Sequence, residues 1–298
     1  MLNMKLVIVA DSSSGLTKKE AEARGWHYLS LYITIDGQEY EDGVEITSST
    51  FFDLSKKDST VSTSCSTVIQ IENLLNKISK PDTFVVMYPI SQHLSSQYQN
   101  MLLVSKNYKN VHVIKSNNIS IPIIQELVEL EIGVTNNEIT IQEGIDIIEN
   151  KISREVDNMI LFPKFNDSLV KGGRLSPSAA KIAKLFKIIP VITLRNGRLE
   201  KLTKGRIFNK IFIQTTVDTY NRLNGKSEDW TIMLGHSNNV DIIHLSNELS
   251  EILKNKKEFI NLYIPSVIAI HTGLEAITPC FLKLKYDVEK YQFDKIKG

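Results

Sequence analysis

Apolar residues run unbroken from Leu6 to Ala10 and stop at Asp11-Ser12-Ser13-Ser14, the pattern of a buried strand feeding a polar turn. A short helix follows, which Gly25 can cap. Residues 26–35 alternate in part, and Asp36-Gly37 is a hairpin pair. Helices are predicted over 47–57 and 68–78, the second with apolar positions at Val68, Ile71, Leu74, Leu75 and Ile78. The stretch Val61-Ser62-Thr63-Ser64-Cys65-Ser66-Thr67 is then expected as a loop entering that helix. A strand at 84–88, a helix over 93–107, a strand at 111–114 and helices over 121–131 and 141–152 continue the alternation.

Past Glu155-Val156-Asp157 the texture changes. A strand at 159–162, a Gly-Gly-Arg turn, a helix over 178–186 and the run Ile188-Ile189-Pro190-Val191-Ile192-Thr193-Leu194 lead to a second hairpin pair, Asn196-Gly197. A helix over 207–223, a strand at 231–234, a helix over 241–253 and strands at 259–264 and 267–270 close the series. Strands alternating with helices of these lengths predict an α/β protein with a mostly parallel sheet covered by helices in its first part. At 298 residues one core is too small an answer, so two domains are expected, 1–155 and a smaller α/β unit, 156–298. Ligands of such sheets bind at the carboxyl ends of the strands, which singles out the loops at 11–14, 89–96 and 116–120.

Composition narrows the class. Hydrophobic residues at 42% and charged residues at 23% are those of a folded chain with a sizeable core. Thirty-five Lys and Arg balance 34 Asp and Glu, interspersed, so no basic face for nucleic acid is expected. The first apolar run is too short for a signal core or a membrane span, and a cytoplasmic location is expected. Cys65 and Cys280, the two cysteines, lie in no metal-binding pattern, so neither a metal site nor a disulfide is expected. Neither a Walker motif nor GxGxxG occurs, which argues against a nucleotide cofactor on this chain.

What remains is a set of small polar clusters, each with a structural and a functional reading. Asp11 and Ser12 read as a helix cap or as lining of the ligand crevice. Thr63, Ser64, Cys65 and Ser66 supply more hydroxyls than one cap needs, and a helix start rich in neutral donors suits a carboxylate. Cys65 also reads as a nucleophile if a histidine (His93, His236 or His271) lies beside it, and as a polarizable filler if none does. Ser95 follows a strand where ligands bind. Gly172-Gly173-Arg174 permits a tight turn that presents the planar guanidinium, and His271-Thr272-Gly273 ends an apolar run.

Taken in order, Asp11-Ser12, Glu41-Asp42-Gly43, Thr63-Ser64, Leu94-Ser95, Gly172-Gly173-Arg174 and His271-Thr272-Gly273 resemble the DegV family, whose members include the fatty-acid-binding subunits of bacterial fatty acid kinase. The resemblance spans nearly the whole chain. It implies two α/β domains with a lipid tunnel between them, the acid's carboxylate held by Thr63, Ser64 and Ser95, and Arg174 and His271 near the head group. Asp11, Ser12, Cys65, Gly172, Gly173 and Thr272 are the further candidates for lining. The implied partners are a long-chain fatty acid, an ATP-dependent kinase that makes acyl phosphate for phospholipid synthesis, and transient contact with a membrane. This chain would be the non-catalytic lipid-binding subunit. A Cys65/His acyl hydrolase or acyltransferase, or a regulator binding another small carboxylate, are the competing expectations. The chain departs from the family pattern where Cys65-Ser66-Thr67 stands for Gln-Pro-Ser, Ser95-Ser96-Gln97 for Ser-Gly-Thr, and Leu274-Glu275 for Pro-Gly.

Overall fold

Strand β1 (Lys5–Asp11) leads through a three-residue turn of helix into α1 (Lys18–Ala23), started by a Thr17/Glu20 capping box. These assignments come from a computed structural model, which describes residues 4–55, 59–150, 158–183, 187–224, 230–254 and 259–296. There follow β2 (His27–Leu29), β3 (Tyr32–Ile35), β4 (Gln38–Glu41), α2 (Phe51–Leu54), β5 (Val61–Ser64), α3 (Val68–Ile78), β6 (Thr83–Tyr88), α4 (Gln97–Ser105), β7 (Val111–Val113), α5 (Ile121–Thr135) and α6 (Ile141–Asn150). The rest comprises β8 (Ile160–Leu161), α7 (Asp167–Gly172), α8 (Pro177–Ala183), β9 (Ile189–Arg195), β10 (Arg198–Gly205), α9 (Phe208–Asn224), β11 (Thr231–His236), α10 (Ile242–Ile252), β12 (Ile260–Tyr263), α11 (Ser266–Thr272), β13 (Ile277–Leu282) and α12 (Val288–Tyr291).

The chain is an α/β fold. Its first sheet, in the order β2-β1-β6-β7, is parallel throughout. Because side chains alternate along a strand, Val9, Val85 and Met87 face α3 and α4, while Ile8, Ala10, Val86 and Tyr88 face α5. Burial on both faces is what makes these strands read as continuous apolar runs. A second, antiparallel sheet in the order β4-β3-β5 turns at Asp36-Gly37, both at positive φ as a two-residue hairpin turn requires.

Two three-stranded sheets build the second half, β10-β9-β8 and β12-β11-β13. Asn196 and Gly197, also at positive φ, turn the first of them. Bridges from Met159 to Cys280 and from Phe162 to Ile277 stitch the two together. The last stretch then crosses back: Tyr291 and Phe293 pack in one cluster with Ile8, Trp26 and Leu127 of the first half.

Three expectations are corrected. The 61–67 stretch is not all loop, because Val61–Ser64 pairs with β3 as strand β5. Residues 267–270 are helical, inside α11, where Pro265 and Ser266 break the apolar run and start a helix. The expected helix over 47–57 shrinks to α2 after a turn at Thr47–Thr50. The expected domain boundary near 155 lies outside the described residues, as do the ends of the predicted helices at 152 and 186.

Candidate functional site

The pattern of β5 sets the site. Thr63 and Cys65, two residues apart, are half-buried and line a cavity of about 500 Å³, while Ser62 and Ser64 between and beside them are exposed. Thr63 Oγ1 lies 3.2 Å from His271 Nε2, and Cys65 Sγ lies 3.2 Å from Ser95 Oγ. Ser64 also borders the cavity, but its hydroxyl donates to Glu39 Oε2 at 3.4 Å. Two hydroxyls, a thiol and an imidazole thus meet at one end of the cavity.

His271 comes from the last turn of α11, which packs against α7. Burial, and then the charge of Arg174, push its imidazolium down to about 4, so the ring is neutral at neutral pH. Arg174 follows α7, whose end turns through Gly173 at a φ of 66°. Its guanidinium donates to the Gly172 carbonyl at 2.6 Å, and the residue is exposed where it borders the cavity. A Cβ on Gly172 would stand 2.9 Å from His271 Nδ1, so glycine is what lets α7 approach the histidine.

Much of the remaining wall is aliphatic. Leu31, Ile90, Ile119, Met159, Leu194 and Val267 are typical of it, drawn from all four sheets' surroundings and from α11. The volume falls within the roughly 300–1,000 Å³ of small-molecule sites. The shape is that of a ligand with one polar head and a long apolar body.

Of the sequence-stretch candidates, Thr63, Ser64, Cys65, Ser95, Gly172, Arg174, His271 and Thr272 line this cavity. Gly173 shapes the turn without lining it. Asp11 and Ser12 are also placed elsewhere, and the reason is structural. Asp11, fully buried, accepts from the amides of Ser13 at 3.0 Å and Ile90 at 2.7 Å, and burial pushes its carboxyl up to about 6. Ser12 Oγ accepts from the Leu31 amide at 3.0 Å. They hold together the loops that carry the site.

Hydrogen bonds also separate the reactive-looking pair: among the described residues the Cys65 thiol has Ser95 as its partner, and the site histidine has Thr63. No group of three or more His, Cys, Asp or Glu among the described residues is placed to hold a metal ion. No helix there is long and apolar enough to cross a membrane.

Sequence reasoning named His271 and Thr272 but missed Val267 and Ile268, the other cavity residues of α11, and those of β13. Pro265-Ser266 was the available signal for the helix start. Pro279 hid β13, since proline is confined to edge strands, and β13 is indeed an edge of its sheet.

The family model described as "Uncharacterised protein, DegV family COG1307" matches residues 5–284. A DegV domain-containing protein of Mycoplasmopsis pulmonis (strain UAB CTIP) is 40% identical over 291 residues, covering 96% of this chain and 97% of that protein. Among solved structures, a DegV family protein from Thermus thermophilus, described for its fatty acid binding, superposes with a TM-score of 0.80 at 20% identity, covering 94% of this chain and 100% of that one. DegV from Bacillus subtilis, described as a fatty acid binding protein, also reaches 0.80 at 20% identity, covering 93% and 99%. The sequence match sets the kinship and the superpositions the fold: the chain belongs to the DegV family.

Proposed function

We propose that this protein binds one long-chain fatty acid, with its carboxylate among Thr63, Cys65, Ser95 and His271, Arg174 at the rim, and its tail in the aliphatic cavity. The observation that carries this reading is the meeting of neutral donors in a cavity of about 500 Å³ whose wall is largely aliphatic. The two superposed structures are described as fatty-acid-binding proteins, which supports it. A sixteen-carbon acid has about fourteen methylenes, each worth roughly 0.8 kcal/mol when buried, so the tail contributes on the order of 11 kcal/mol before ordering costs. Affinity then comes from the tail, and position from the head.

In this reading residues 1–155 and 156–298 are two domains, and the chain is a cytoplasmic, non-catalytic subunit. A separate ATP-dependent kinase phosphorylates the presented carboxylate, giving acyl phosphate for phospholipid synthesis. A neutral cluster suits that task, because a carboxylate not locked to a buried cation keeps its nucleophilicity. Phosphoryl transfer needs phosphate clamps, and the sequence carries no Walker motif to supply them.

Native mass spectrometry of the protein incubated with palmitate and oleate is the test. One added fatty-acid mass per chain is expected; a mass that stays at that of the bare chain sinks the reading.

A further inference from the structure

Besides the head-group residues, two buried lining residues carry hydroxyls with no hydrogen-bond partner among the described residues: Ser120 Oγ and Thr278 Oγ1. Ser120 is 9% exposed and Thr278 is 7% exposed, so neither lies on the outer surface. Neither is sealed against protein atoms either, since both border the open cavity.

Their directions follow from their elements. On β13 the alternation puts Ile277 and Phe281 in the cluster under α9 and α10, and Cys280 and Leu282 in the cluster on the opposite face. Thr278 shares the face of Cys280, and both line the cavity. Opposite Thr278 on β11 stands Gly235, another lining residue, so no side chain from that strand covers the hydroxyl.

Ser120 stands at the N-terminus of α5, a helix of 15 residues that packs against β13. It makes no capping bond, and its φ of 59° and ψ of −139° turn it out of the usual cap geometry. Its own amide donates to the Ser13 carbonyl at 2.8 Å. The next amide, that of Ile121, has no acceptor among the described residues, and Pro122 has no N–H to offer. The free hydroxyl is therefore flanked by a free helix amide at the positive end of the helix.

A fatty acid with a plain hydrocarbon tail leaves these groups buried without partners, which costs binding free energy. Arg174, the arginine of the lining, is already placed at the carboxylate in that reading, so the partner left for these hydroxyls is a neutral oxygen rather than a second carboxylate. A hydroxyl both donates and accepts, and matches a serine or threonine in either role. Resting on the fatty-acid reading above, we infer that the cavity wall has a second polar subsite, at Ser120 and Thr278, for an acyl chain that bears a hydroxyl group.

The experiment compares the affinity of the whole protein for stearate with its affinity for a set of hydroxystearates carrying the hydroxyl at successive chain positions. At least one positional isomer is expected to bind more tightly than stearate by about five-fold, the worth of one net hydrogen bond. Ser120→Gly, which relieves the positive φ, and Thr278→Val, which keeps shape, are then measured with the same pair. One of the two variants should abolish the preference by raising stearate affinity toward that of the favoured isomer, since the unpartnered hydroxyl is gone. Stearate binding with no isomer preferred overturns the subsite alone, as does a preference that survives both variants. Failure of stearate and every hydroxystearate alike overturns the fatty-acid reading and the subsite with it.

Discussion

Thr63 and Ser95 each offer one hydroxyl to the cavity's polar end, and hydrogen bonds to a charged partner are worth about 1.5 to 3 kcal/mol. Replacing both with alanine is expected to weaken palmitate binding by at least about ten-fold, read by titration of a fluorescent fatty acid. Two departures from the family pattern turn out to bond each other. The Ser66 amide donates to Gln97 Oε1 at 3.0 Å, Gln97 Nε2 donates to Ser66 Oγ at 2.8 Å, and Ser66 Oγ donates to the Ser30 carbonyl at 2.7 Å. A proline at position 66 would have no amide to give, so the serine and the glutamine belong together. Gln97→Ala, at a fully buried position, should cost about 1–3 kcal/mol in denaturant unfolding by stranding those donors. Asp42 is the other buried group of consequence: Ser266 donates to it, and burial pushes its carboxyl up to about 7 from an ordinary 3.8. The native state then holds a proton that the unfolded chain has lost, so this group's stabilising contribution is full below pH 4 and fades as the pH rises toward 7. His271 works in the opposite sense, its contribution being full above 6.5 and fading as the pH falls toward 4. Thermal melts of Asp42→Asn across that range should lose less stability between pH 4 and 7 than the parent; parallel curves would count against the buried proton.

Helix α11, from the second half of the chain, shows how an element's two ends tie it to the first half. Ser266 at its start bonds Asp42 beside β4, and His271 near its end faces Thr63 on β5. Between these anchors Val267 and Ile268 wall the cavity. Gly172 governs how closely α7 approaches this helix, and Gly172→Ala is expected to displace the His271 ring, weakening ligand binding more than it lowers the melting temperature. A loss confined to melting temperature would refute that role. The parallel strands were legible because burial on both faces writes itself as uninterrupted apolar runs, and both hairpins because Asp36-Gly37 and Asn196-Gly197 carry the backbone their turns need. Element α11 was not, because a short, apolar helix and a buried strand have the same pattern when periodicity alone decides. The site was legible as a set of residue types, but which neighbours share a side depended on β5 being a strand. Strand alternation pairs Thr63 with Cys65 on the cavity side and sends Ser64 toward Glu39.

At the scale of the molecule, the cavity wall is assembled from segments as distant in sequence as Leu31 and Cys280. A partner kinase in this reading would meet the rim where Arg174 is exposed, and a pull-down from a lysate of the source cell should recover a nucleotide-binding protein that Arg174→Ala recovers poorly. The return of the chain to its first half bears on something else, the order of assembly during synthesis. Tyr291 and Phe293 complete the core that begins with Ile8, and Arg24 donates to the Tyr291 carbonyl at 2.9 Å. Tyr291 leaves the ribosome 267 positions after Arg24, the residue that bonds it. The part of that core which Tyr291 and Phe293 cover stays open until they are made, and contacts of such sequence separation form slowly. Trp26, stacked under Arg24 at 5.5 Å and bonded to Glu131, sits beside that last closure, so its fluorescence during refolding would time it.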